Sequence, residues 1–202
     1  MLQFRLERFQ TRVDEVLLVT DDQGRVRALD FGDYEQRLSR LLRLHYGADA
    51  VAFVEHDGAA QPKTAARLAL ESYFTGDFQA LDELVVETGG TVFQRQVWSE
   101  LRKIPVGQTL SYGQLAARIG RPTAVRAVGL ANGANPVGIV VPCHRVIGTN
   151  ASLTGYAGGL HRKQWLLQHE GVLNVKPPRS VPGSPGRDAC AGLCRQETHG
   201  AG

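Results

Sequence analysis

In the stretch VPCHRVIG, Val141 to Gly148, a cysteine stands next to a histidine and the histidine next to an arginine. A free thiol has a pKa near 8.5, so at neutral pH a working nucleophile needs a base or a nearby positive charge to form thiolate. His144 can serve as that base and Arg145 can supply charge. A carboxylate such as Glu170 could orient the imidazole, completing a nucleophile, base and orienter relay. On an extended segment, adjacent side chains point to opposite faces, so Cys143 and His144 would not touch directly and a bridging water or a bend is required. At this point two readings stand side by side: a nucleophile, or a small buried cysteine beside a core histidine.

Metal and disulfide chemistry find little support. The three cysteines, Cys143, Cys190 and Cys194, leave an odd thiol however they pair, which argues against a disulfide framework and for a reducing, cytoplasmic setting. There is no CxxC pair. The histidines at 45, 56, 161, 169 and 199 are scattered, so no metal site and no cofactor is expected. No apolar run is long enough to span a bilayer.

The elements that must position this stretch follow from pattern. VDEVLLVT and RVRALDF flank Asp21–Gly24, a hairpin signature. DYEQRLSRLLRLHY carries Leu38, Leu41, Leu42 and Leu44 at helical spacing, VAFVEHD reads as a strand and TAARLALESYF as a helix. This makes a small α/β unit up to about residue 87, with no visible catalytic cluster. After a turn at Glu87–Gly90 comes the helix TVFQRQVWSELRKIP. LSYGQLAARIG follows, where Ser111 and Gln114 form a capping-box pattern and Gly120 ends the helix. Pro122 and Thr123 open a further helix, TAVRAVGLANGAN. Two short helices joined at a Gly-x-Pro turn fit a helix-turn-helix, and equally a plain helical hairpin inside a core. Asn135-Pro136 breaks the chain, and VGIVVP reads as a short buried strand delivering Cys143. A Gly-rich loop, GTNASLTGYAGG, suits close approach of backbone to a ligand, and HRKQWLLQHEG closes as a helix. From Val172 onward, four of the nine prolines and little periodicity predict a disordered tail.

The formal charge of +3 conceals an asymmetry. Residues 1–90 carry ten Lys/Arg against sixteen Asp/Glu, whereas residues 91–171 carry nine against two. The positive surplus lies around PCHR, where it favours a polyanionic partner.

FQRQVW, LSYGQLA, AVRAVG, NGANP, VPCHRVIG, GYAGGL and KQWLLQHEG stand in the order and spacing of the O6-alkylguanine-DNA alkyltransferases, also called methylated-DNA–protein-cysteine methyltransferases, and the chain most resembles their bacterial constitutive type. The resemblance implies an α/β, ribonuclease H-like N-terminal domain over 1–87, and a mainly helical, winged helix-turn-helix domain over 88–171 that binds DNA and reacts. Residues 172–202 match nothing in it. It implies a monomer that binds double-stranded DNA in the minor groove and flips the alkylated guanine out of the stack. Arg126 would fill the vacated space, with Arg121, Thr123, Ala124 and Ala127 beside it on the DNA face. Tyr112 would help rotate the nucleotide and donate to guanine N3. The carbonyls of Cys143 and Val146 and the N–H of Ala157 would read the base. Tyr156 and Gly158 would wall the pocket, and Asn135 would tie the turn before the cysteine. Glu170, His144 and a water would remove the thiol proton. Gly138 and Ala157, smaller than the residues of some relatives, imply a pocket that admits adducts larger than methyl. The absence of cysteine from residues 1–142 departs from the zinc-binding members.

Three rivals remain at this stage: a lesion-binding protein that does not transfer, a cysteine hydrolase, and a winged-helix regulator with a structural cysteine. The first lacks the cysteine that is present here. The second leaves the helix pair unexplained.

Overall fold

The computed structural model describes residues 2–47, 51–55 and 62–172, so the segment read as a disordered tail lies almost wholly outside the described residues. Four strands, β1 (Leu2–Gln10), β2 (Glu15–Thr20), β3 (Val26–Phe31) and β4 (Val51–Glu55), make one sheet in the order β3-β2-β1-β4. The β1–β2 and β2–β3 pairs are antiparallel, while β4 returns parallel to β1 after helix α1 (Glu35–Tyr46). The hairpin predicted at Asp21–Gly24 is present. Asp21 closes it by accepting from the backbone N–H groups of Gln23 and Arg25, and Gly24 takes the left-handed conformation, at φ +75°.

Strand β1 was not foreseen. In LQFRLERFQ apolar and charged residues nearly alternate, which is the period of a half-buried strand, but the density of charge obscured it. Strand β2 reads as a continuous apolar run because both of its faces are covered. Leu17 and Val19 pack with Leu38 and Leu42 of α1, whereas Val16 and Leu18 face the larger core.

That larger core belongs to both halves of the chain. It joins β2 and β3 to Leu70, Tyr73 and Phe74 of α2 (Ala65–Thr75), and continues through α3 (Val92–Leu101), α4 (Tyr112–Arg118) and α5 (Val125–Gly133) to Leu166 of α6 (Leu160–His169). Trp98 of α3 donates its indole N–H to the Ala131 carbonyl, 2.8 Å away, pinning α3 to α5. The Ser111–Gln114 capping box forms in both directions, at 3.1 and 2.7 Å, and Gly120 ends α4 at φ +72°. Helix α5 begins at Val125 rather than at Pro122 or Thr123, because residues 121–124 close a turn in which the Ala124 N–H donates to the Arg121 carbonyl. Two short parallel strands, β5 (Leu110–Ser111) and β6 (Val146–Ile147), flank the helix pair.

The run VGIVVP is not a strand. Val137 makes one bridge to Leu29 of β3, and the chain then turns with Ile139 at φ +66°. Its polar backbone groups are satisfied by local turns, by one exchange with Leu29 and by a side chain, not by a continuous ladder. The Asn135 amide donates to the carbonyls of Val141 (2.8 Å) and Val137 (3.3 Å), and its oxygen accepts from the Val137 N–H (3.0 Å). No helix among the described residues is long and apolar enough to cross a membrane.

Candidate active site

Cys143, His144 and Arg145 form a single 3-10 turn, all three buried. This turn, rather than an extended segment, supplies the bend that the Cys-His pair called for. Among the described residues no hydrogen bond joins the Cys143 thiol to the His144 ring. The ring Nε2 lies 3.0 Å from Glu170 Oε1, and Nδ1 is buried without a partner.

Glu170 sits just past the end of α6 and is 4% exposed. Burial alone would raise its carboxyl, but the His144 ring and the Arg145 guanidinium offset this and hold it well below the usual carboxylate range. Arg145 grips it from two sides, Nε to Oε2 and Nη2 to Oε1, both at 2.8 Å. Burial lowers the His144 imidazole and outweighs its carboxylate partner, so the ring is neutral near pH 7. An ionised Glu170 accepts only, so Nε2 carries the ring proton and Nδ1 is left as the basic nitrogen.

Arg145 does not assist the thiol in the way its sequence position suggests. Its charge is committed to Glu170, and Nη1 donates to the Ile104 carbonyl at 2.5 Å. Burial raises the Cys143 thiol, and the opposing influences come from the Asn135 side chain and the charges of Lys163 and Arg37. Lys163 is wholly buried on α6, where its Nζ donates to the carbonyls of Val146 (2.6 Å) and Thr154 (2.8 Å). Burial brings its pKa down to about 8. It ties the segment after the cysteine to the Gly-rich loop. The only sequence signal for it is a lysine on the inward face of a helix, a position that ordinarily reads as solvent-exposed.

The sheet half, read from sequence as lacking catalytic residues, reaches the site in three places. Tyr73 of α2 donates its hydroxyl to Glu170 Oε1 at 2.8 Å. Arg37 of α1 donates to the carbonyls of Gly133 (2.8 Å) and Asn135 (3.1 Å) and pairs with Asp30. Leu29 of β3 exchanges backbone hydrogen bonds with Pro136 and Gly138, at 2.9 and 2.8 Å. A Cβ on Gly138 would stand 3.2 Å from the Leu29 carbonyl. The glycine therefore serves a close backbone approach, and it does not simply enlarge a pocket. At Gly158 the crowding comes from side chains, since a Cβ there would fall 2.8 Å from the Tyr156 ring and 2.9 Å from the Phe31 ring.

The residues expected to face the base surround this turn. Tyr112, at the start of α4, places its hydroxyl 3.4 Å from the carbonyls of Thr154 and Gly155. The Val146 carbonyl already accepts from Lys163, and that of Cys143 from the Val146 N–H and, at 3.5 Å, from Asn132. Each carbonyl has two lone pairs, so guanine would have to share them. Asn132, buried with its Oδ1 unpartnered, is a polar neighbour of the cysteine that sequence reading missed. Tyr156 and Ala157 are half-buried in the loop. On the helix pair, Arg121, Thr123, Arg126 and Ala127 are exposed and Ala124 is half-buried. Arg121 lies over the Phe93 ring, 5.5 Å from its centre.

Residues 92–172 match the family model described as 6-O-methylguanine DNA methyltransferase, DNA binding domain. A methylated-DNA–protein-cysteine methyltransferase of Salmonella typhimurium is 49% identical over 176 residues, which span 86% of this chain and 99% of that protein. The chain belongs to the methylated-DNA–protein-cysteine methyltransferases. The crystal structure of the Mycobacterium tuberculosis O6-methylguanine methyltransferase superposes on this family member with a TM-score of 0.65 at 36% identity, covering 84% of this chain and 93% of that one. A second crystal structure of the M. tuberculosis protein, in complex with DNA, gives 0.63 at 32% identity, covering 82% and 92%. In this methyltransferase, as in those neighbours, an N-terminal sheet region precedes a helical region, and the helical region is the part that the DNA-binding family model matches.

Proposed function

We propose that the protein repairs alkylated DNA by moving the alkyl group from O6-alkylguanine, and from O4-alkylthymine, onto the sulfur of Cys143. The observation that carries this reading is the buried turn holding Cys143 next to His144, whose Nε2 lies 3.0 Å from Glu170 Oε1 and whose Nδ1 is buried without a partner. The thiol proton passes through a water to Nδ1. The thiolate then attacks the alkyl carbon in line, forming the C–S bond as the C–O6 bond breaks, and the electron pair leaves with guanine. Tyr112 donates to N3 as charge develops on the departing base. Its hydroxyl is engaged only at 3.4 Å in the free protein and is readily released for that bond.

The product is a thioether, which offers neither a carbonyl nor a sulfur–sulfur bond to water or cellular thiols, so each molecule acts once. The reaction needs no cofactor and no metal. The partner is double-stranded DNA, approached from the minor groove by a monomer in the reducing cytoplasm. Helix α5 carries Arg121, Thr123, Ala124, Arg126 and Ala127 at or just before its exposed start, in a segment almost free of acidic residues. The order β3-β2-β1-β4 with β4 parallel supports the ribonuclease H-like reading of residues 1–87. The α4–α5 pair with β5 and β6 supports a winged helix-turn-helix within 88–171.

Intact-protein mass after incubation with a duplex containing O6-methylguanine tests the reading directly. One methyl gained per molecule, with no further turnover, is expected. Continued turnover, or binding without a mass change, would overturn it.

Arg126→Ala separates flipping from chemistry. Transfer from duplex DNA is expected to fall about 10–100-fold, the scale of losing compensation for an unstacked base, while transfer from a free O6-alkylguanine base stays near wild type. Equal loss on both substrates would remove Arg126 from the duplex.

A further inference from the structure

We propose that Tyr73 of α2 is a positioning residue of the reaction, setting the basicity of the His144–Glu170 pair from the sheet half of the molecule. The idea rests on the transfer chemistry described above, but its geometry stands independently. Tyr73 is fully buried and its hydroxyl lies 2.8 Å from Glu170 Oε1. The same oxygen accepts from His144 Nε2 at 3.0 Å and Arg145 Nη2 at 2.8 Å, while among the described residues Oε2 accepts from Arg145 Nε alone. Tyr73 and His144 thus draw on one oxygen. The phenol cannot give up its proton in this setting, because burial and the adjacent carboxylate both push its ionisation well above the ordinary tyrosine value. It acts as a permanent donor.

The groups facing this cluster are few. From the 3-10 turn come His144 and Arg145, from just past α6 comes Glu170, and from its last residue comes His169, whose ring meets Tyr73 edge-on at 5.3 Å and whose Nε2 lies 2.8 Å from the Tyr73 carbonyl. Lys163 and Tyr156 act at longer range. His144 and Arg145 both hold Glu170 ionised, and Tyr73 is the neutral donor on the same oxygen. Every hydrogen bond that Oε1 accepts withdraws charge from the side facing His144 and makes the imidazolium less stable. Without the phenol, His144 would hold a proton to higher pH, and the free base that takes the thiol proton would be available over a narrower pH range. The arrangement also makes the relay complete only when α2 is docked against α6.

Tyr73→Phe keeps the ring packing and removes the donor. The His144 ring titration, followed by side-chain NMR of the full chain without DNA, is expected to move up by about half to one pH unit. The acid limb of the single-turnover rate should move with it. Replacing Tyr73 by 3-fluorotyrosine, a stronger donor of nearly the same shape, is expected to shift both downward, and it decides the matter if the phenylalanine variant does not accumulate. A His144 titration that superimposes on wild type, or that moves the same way in both variants, overturns the proposal. A purely structural role would lower melting temperature without moving either profile. Failure of the wild type to gain a methyl would count against the transfer reading alone, since the ring titration needs no substrate.

Discussion

Cys143→Ser is expected to gain no methyl from an O6-methylguanine duplex while still binding it. Serine fits the cavity with loss of a little volume, but a hydroxyl has no accessible anionic form under a base as weak as a neutral imidazole. The thiol itself is protonated at rest, because its burial outweighs the Asn135 hydrogen bond and the charges of Lys163 and Arg37. Reactivity in the wild type therefore depends on proton removal during the reaction, and no preformed thiolate is needed. Intact mass and a gel-shift titration on the same sample separate the two functions. A methylated serine variant, or methylation of wild type at Cys190 or Cys194, would remove Cys143 as the acceptor.

Glu170→Gln is expected to cost both rate and stability. The carboxylate is the meeting point of Arg145, His144 and Tyr73, and all four side chains are buried. Removing one member of a buried charge pair leaves the other uncompensated, at a cost of about 3–5 kcal/mol. At roughly 2–4 °C per kcal/mol for a chain of this size, the melting temperature should drop by about 10 °C. The single-turnover rate should fall by about 10²–10⁴-fold, the range of a misplaced general base and its orienter. The sign of the pH dependence is also fixed. Because the folded-state value of Glu170 is depressed, its stabilisation is complete above the unfolded carboxyl value of 4.5 and is lost as pH falls below that. The glutamine variant should therefore lose less stability than wild type on acidification below pH 4.5. Denaturation curves at neutral and acid pH check this, and parallel loss in both proteins would show that Glu170 is not the group responsible.

Much of the candidate site was legible in the sequence. Cys143, His144, Glu170 and Asn135 lie close together in the fold, and PCHR, the Asn-Pro break and the helix end at HEG are local signals. The capping box at Ser111 and the hairpin at Asp21 were equally legible, since caps and tight turns are fixed by residues three or four apart. Other features depend on long-range packing. VGIVVP looked like a strand because a continuous apolar run says only that a segment is buried. Whether a ladder, or turns together with the Asn135 amide, satisfies its backbone depends on what packs around it. Strand β1 is masked by its charges, although Phe4, Leu6 and Phe9 are buried while Gln3, Arg5, Arg8 and Gln10 are exposed. Arg145 looked like a helper for the thiol, as adjacency suggested, and it turned out to serve Glu170.

The sequence by itself determined the chemistry available: one cysteine with a neighbouring base, a basic helix pair beside it, and a family pattern across residues 88–171. The tertiary structure alone decided how that chemistry is controlled. Tyr73, Arg37 and Leu29 lie at least 97, 96 and 107 residues in sequence from the groups they hold or help to hold, and no local pattern encodes such contacts. They exist because one hydrophobic core runs through both halves of the chain. Burial in that core is also what gives a carboxylate, an imidazole and a phenol enough mutual influence to set where the proton goes.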